Sequence, residues 1–187
     1  MKRTLYLSMV CLLPAFSAVG QIGLRGLNPI EKQKLQLPEL PASQSRVTLL
    51  RSSENVDYTQ GVFILNEDWF GHNNSTINFM TSSGDFAYRI FQTANPGKEL
   101  GCTSQFGTIF GDNMFITSKQ PKDGGASIEG GRLNVVDAKT MKVKAQFTDI
   151  GGGDGRAFLG VNDSVGYIGA SNGIFLFDIK NLTVGDQ

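Results

Sequence analysis

The densest run of chemically capable side chains is Asn66-Glu67-Asp68-Trp69-Phe70-Gly71-His72-Asn73-Asn74, which holds the chain's single Trp and single His beside two carboxylates. Trp69 and Phe70 offer flat faces that could stack on a ligand, while Asn66, Asp68 and His72 offer hydrogen bonds. Trp69 has a competing place as packing between sheets. Catalysis fits less well. Glu67 and Asp68 are adjacent, so at a strand end they point opposite ways, and no nucleophile is fixed beside His72. Any Ser-His-Asp or Cys-His machine would have to run through that one residue, and a His-cluster metal site is excluded. No catalytic residue, metal or cofactor is expected.

A second tier of polar residues recurs at regular spacing. Ser118-Lys119-Gln120 stands where Asn66-Glu67-Asp68 stands one unit earlier, and Ser171-Asn172 stands there one unit later. Gln105 and Arg156 are 51 positions apart at the starts of equivalent strands. Repeat-equivalent polar residues on one end converge, so Gln105, Lys119, Gln120 and Arg156 join the candidate ligand-binding set. The run Gly151-Gly152-Gly153-Asp154-Gly155-Arg156 lacks the Gly-Lys-Ser/Thr ending of a phosphate loop. It reads as a turn between units.

These residues must be held by strands. The chain has 187 residues with 17 Lys plus Arg against 17 Asp plus Glu, so it carries no basic footprint for nucleic acid. Its 23 glycines are about 12% of the chain where about 7% is usual, and charged residues are 18% where about 25% is usual. From about Val47, short β-rich runs alternate with turn clusters, and no later stretch keeps a 3.6-residue apolar period. The runs repeat. Met114–Thr117 matches Val165–Ile168 at a spacing of 51, and Leu133–Val143 echoes Phe175–Val184 at 41.

The unit is four strands, A to D. Strand B is Val62–Leu65, Met114–Thr117 and Val165–Gly169. Strand C is Thr76–Met80, Leu133–Val136 and Ile174–Phe177. Strand D is Phe86–Phe91, Val143–Phe147 and the segment after Leu182. Strand A is Gly107–Phe110 and Ala157–Val161. A four-stranded meander at this period predicts an all-β fold of β-propeller blades. About two and a half to three blades are present where closure needs at least four, so the expectation is an incomplete propeller, truncated at its C-terminus. The longer connections (Asn66–Ser75, Gln92–Gln105, Ser118–Arg132 and Asp149–Arg156) fall on one end, the expected binding face.

The N-terminus reads as an export signal over residues 1–20. Lys2 and Arg3 precede an apolar run from Leu5 to Phe16, and Ala18-Val19-Gly20 suits cleavage before Gln21. A Pro-containing linker then spans residues 21–45, and the β-propeller portion residues 46–187. Cleavage removes Cys11 and leaves Cys102 alone, so no intramolecular disulfide is available. The product is expected in the periplasm or on the cell surface of a Gram-negative bacterium, with no transmembrane segment in the mature chain.

The stretches Gly61–His72, Gln105–Asp112, Ser118-Lys119-Gln120 and Gly152–Phe158 together resemble the exported Bacteroidetes propellers called domain of unknown function 5074. That group is similar to the YVTN-repeat, surface-layer-type seven-bladed propellers. The resemblance covers about residues 46–187 and implies an incomplete seven-bladed propeller. Some relatives capture vitamin B12 at the cell surface, so it implies a small, corrinoid-like ligand. This chain departs from them in its length and in lacking a lipobox Cys. The function expected is non-enzymatic ligand binding at the cell envelope. The alternatives are a propeller enzyme of lactonase or lyase type, drawing on Asn66, Glu67, Asp68, His72 and Arg156, and a scaffold that binds other envelope proteins.

Overall fold

The computed structural model describes residues 56–68 and 72–187. The expected export segment and linker, together with Trp69, Phe70 and Gly71, lie outside the described residues. The described chain forms three antiparallel sheets, each a meander of strands consecutive in sequence. The first holds β1 (Gly61–Asn66), β2 (Thr76–Thr81) and β3 (Phe86–Ala87). A short helix, α1 (Ile90–Ala94), leads to the second, with β4 (Cys102–Phe110), β5 (Asn113–Gln120), β6 (Leu133–Asp137) and β7 (Val143–Phe147). The third holds β8 (Gly155–Gly160), β9 (Val165–Ala170), β10 (Gly173–Asp178) and β11 (Thr183–Val184). The fold is all-β and its sheets are blade-like, as the repeat predicts.

The middle sheet is buried on both faces, and its strands read accordingly. Residues 114–118 of β5 and 133–136 of β6 are all buried, the continuous burial of a strand packed on two sides. Met114, Ile116 and Val136 pack with Phe63, Leu65, Ile77 and Phe79 of the first sheet. Phe115, Leu133 and Val135 pack with Phe158, Ile168, Phe175 and Phe177 of the third. Between the middle and third sheets, the Phe115 and Phe158 rings stack at 3.8 Å and 6°.

The repeat is visible in the turns as well. Asp137 Oδ1 accepts from the amides of Lys139 and Thr140 at 3.1 and 3.0 Å, and Asp178 Oδ1 accepts from the Asn181 amide at 2.9 Å. Both turns end in a left-handed non-glycine residue, Met141 at φ 59° and Leu182 at φ 51°. These Asx-type turns fix where strand D begins.

Three expectations need correction. Strand D of the first unit does not run from Phe86 to Phe91; only Phe86 and Ala87 pair, with Met80 and Phe79. Arg89 then turns left-handed at φ 50° with its amide on Asn78 Oδ1 at 2.9 Å, and α1 follows. The reason is that Ile90 and Phe91 both enter the same core. A strand would send these neighbours to opposite faces, and a helix does not.

Strand A starts earlier than expected, at Cys102 and Gly155, because Cys102 pairs with Gln120 and Gly155 with Ala170. Gln105, Lys119, Gln120 and Arg156 are therefore strand residues rather than loop residues.

The 51-residue spacing does not hold for strand B. Asp137 pairs with Asn113, whereas Asp178 pairs with Val165, so β9 stands 52 positions after β5. The turn before β9 is one residue longer. A one-residue shift exchanges the two faces of a strand, so Phe115 corresponds to Tyr167 and not to Gly166.

Candidate functional site

The register places all the longer connections at one end of the sheets. That end carries the last residues of β1, β5 and β9 and the first residues of β4 and β8. Asn66 closes β1, half-buried, and its Nδ2 donates to the Ile64 carbonyl and to Thr76 Oγ1, both at 3.3 Å. It holds its own hairpin end. Asp68 follows in the left-handed region at φ 66°, which Asp tolerates better than most residues. Asp68 and His72 are exposed at this end. Trp69 and Phe70 fall outside the described residues.

Gln105 and Arg156 are the clearest pair. In β4 the register steps from Ser104 to Phe106 opposite adjacent residues of β5, which leaves Gln105 as the extra residue of a β-bulge. In β8 the register steps in the same way from Gly155 to Ala157, which leaves Arg156 as the extra residue. Both side chains are exposed at the same end. A bulge re-aims its side chain out of the normal alternation, and here two sheets do so at the same repeat position. Gln105 Nε2 donates to the Glu67 carboxylate, which joins the middle sheet to the first. Arg156 instead pairs with Asp154 of its own unit, Nη2 to Oδ2 at 3.2 Å. Lys119 is half-buried and Gln120 exposed at the end of β5. Among the described residues, Asn66, Asp68, His72, Gln105, Lys119, Gln120 and Arg156 lie at one end, and Gln105 meets Glu67 from one sheet to the next.

Beneath this surface lies a buried polar layer that the sequence reading missed. The Ser75 amide donates to the Gly101 carbonyl at 2.9 Å, and Ser75 Oγ accepts from the Ser104 amide at 2.8 Å. Ser104 and Ser118 share a hydroxyl hydrogen bond at 2.6 Å. Asn74 Nδ2 donates to the Ile128 carbonyl at 2.8 Å, while its Oδ1 accepts from the Asp123 amide at 2.8 Å. Gly155 lets the third sheet approach this layer, because a Cβ there would stand 2.6 Å from the Ser118 carbonyl oxygen. No motif announces these residues; they meet across 14 to 54 positions of chain. Gly151 and Gly152, at φ 89° and 82°, supply the turn into β8, as the glycine run predicts.

A polar hollow of about 180 Å³ opens beside the layer, lined among others by Asn73, Asn74, Arg89, Glu99 and Ser127. Arg89 pairs with Glu99 at 3.4 Å, and Gln92 Nε2 donates to Glu99 Oε2 at 2.7 Å. Cys102 lies buried, with its Sγ 3.3 Å from Asp123 Oδ2. Burial pushes its thiol up, and the Asp123 carboxylate adds to that, so at neutral pH it is held as the thiol. Among the described residues no three His, Cys, Asp or Glu side chains gather as a metal site. No helix among them is long and apolar enough to cross a membrane.

Residues 60–187 match the family model described as domain of unknown function (DUF5074). No curated protein matches the chain.

Proposed function

The chain belongs to the family described as domain of unknown function (DUF5074), and on that premise we propose that it is an exported, non-enzymatic binding protein of the Bacteroidetes cell envelope. Its ligand is a small corrinoid-like molecule taken at the end of the sheets that bears the long connections. The carrying observation is the repeated bulge. Gln105 and Arg156 leave the strand alternation at the same position of two successive sheets, and each presents a polar side chain at that end. A rigid blade scaffold with bulged polar residues and long connections suits recognition of a ligand with many hydrogen-bonding groups. Asn66, Asp68, His72, Lys119 and Gln120 stand beside them, and Trp69 and Phe70 supply the stacking surface in this reading. The blades are of the seven-bladed, YVTN-repeat type. Export is supported by Lys2, Arg3, the apolar run that follows and Ala18-Val19-Gly20.

Calorimetric titration of the full chain with cyanocobalamin tests the reading. Binding should fall at least tenfold in Gln105→Ala and in Arg156→Ala, and should be lost in Trp69→Ala, with the circular dichroism of each variant unchanged. No heat with folded protein refutes the corrinoid ligand. Affinity unchanged in all three variants removes the site from this end.

A further inference from the structure

The polar hollow of about 180 Å³ stands apart from the corrinoid site proposed above. Among the described residues it is lined by Asn73, Asn74, Arg89, Glu99 and residues 125–128, none of which belongs to that site. Its walls come from the approaches to β2 and β4, the turn after β3 and the β5–β6 connection. Asn74 ties two of these together, with Nδ2 on the Ile128 carbonyl and Oδ1 on the Asp123 amide, both at 2.8 Å. The walls are thus fixed before any ligand arrives, which lowers the cost of binding.

Arg89 is the informative residue. The fold needs a left-handed backbone there, at φ 50°, and glycine or asparagine adopts that conformation at less cost. The Arg side chain adds one contact, Nη2 to Glu99 Oε1 at 3.4 Å, and is 53% exposed. An exposed ion pair is worth about 0–1 kcal/mol, too little to account for a long cationic side chain in that conformation. Strained non-glycine residues cluster at ligand clamps. Most of the guanidinium donors lie outside the Glu99 contact. Glu99 is positioned in turn, since Gln92 Nε2 donates to its Oε2 at 2.7 Å.

Opposite charges 3.4 Å apart in one hollow favour a ligand that carries both. A simple anion would meet the Glu99 carboxylate and a simple cation the Arg89 guanidinium, and each would be repelled by the like charge. A volume below the about 300 Å³ of drug-sized sites suits a small molecule. We propose that this hollow binds a small free α-amino acid. Its carboxylate takes the guanidinium fork of Arg89, its ammonium takes the Glu99 carboxylate, and its side chain lies against Ala126 and Ile128.

Calorimetric titration of the full chain with glycine, L-alanine and L-serine tests this, with acetate and methylammonium as single-charge controls. At least one of the amino acids should bind tenfold or more tightly than either control. Arg89→Gln and Glu99→Gln should each weaken that binding at least tenfold, with circular dichroism unchanged. Neither variant touches the proposed corrinoid site, so the outcome is independent of whether cyanocobalamin binds. No heat from any of the three amino acids with folded protein overturns the proposal. So does binding that either folded variant leaves intact. Acetate bound as tightly as the amino acids overturns it as well, because Arg89 would then be a plain anion contact; that comparison needs only the wild type.

Discussion

Replacing Phe177 by Ala should cost about 4–5 kcal/mol of folding free energy. Phe177 is fully buried between the middle and third sheets. Its ring meets those of Phe115, Phe147 and Phe158 at 5.9, 5.8 and 5.6 Å, each within 7° of perpendicular. Truncating a buried Phe costs about 3–5 kcal/mol through lost transfer energy and the cavity left behind. Edge-to-face ring contacts add about 0.5–1.5 kcal/mol each beyond area, and three of them place Phe177 in the upper half of that range. Total stabilities are about 5–15 kcal/mol, so the variant sits near the unfolding threshold. Phe177→Leu keeps most of the apolar volume and should lose about 1–2 kcal/mol. Tyr88, 58% exposed just after β3, is the control, and Tyr88→Ala should lose under about 1 kcal/mol. Urea titrations followed by far-ultraviolet circular dichroism measure all three, with equal slopes required for the comparison. A loss below about 1.5 kcal/mol for Phe177→Ala would mean that the two sheets do not share this aromatic core.

Asn74→Ala should cost about 2–4 kcal/mol in the same titration, because it leaves the buried Asp123 amide and the Ile128 carbonyl without their partner at about 1–3 kcal/mol each; a loss below about 0.5 kcal/mol would show that those groups find other partners. The pH dependence follows from two turn carboxylates. Burial pushes the Asp137 carboxyl up, but hydrogen bonds from Thr140, Lys144 and the Lys139 amide outweigh it, and the net position is below the usual 3.8. The Asn181 amide and side chain hold Asp178 below 3.8 as well. A depressed carboxylate contributes stability that is present above the unfolded value of 3.8 and is lost as pH falls through the folded value. The urea midpoint should therefore drop as pH falls below 3.8, and less so in Asp137→Asn/Asp178→Asn; an equal drop in that double variant would contradict the assignment.

Much of the scaffold is legible in the residues alone. Strands B and C announce themselves by short β-branched and aromatic runs between turn residues, and their pairing partners follow from meander topology. The Asp turns at Asp137 and Asp178 are local, made by side chains that bond amides two or three positions on, so a short window of sequence suffices to see them. The repeat extends this to the equivalence of Gln105 with Arg156, since spacing survives whatever the side chains become.

What the sequence by itself determined is thus the all-β class, the unit and the end that carries the long connections, because strand alternation and turn chemistry act over a few residues. Tertiary structure decided the rest. It made Ile90–Ala94 a helix, since two adjacent apolar residues had to enter one core. It set β9 one residue beyond the simple repeat, since facing sheets choose the register that buries their large side chains. It brought Glu67 to Gln105, and Asn74 to Asp123 and Ile128, contacts that exist only because separate sheets pack and their buried polar groups must find partners across distant stretches of chain.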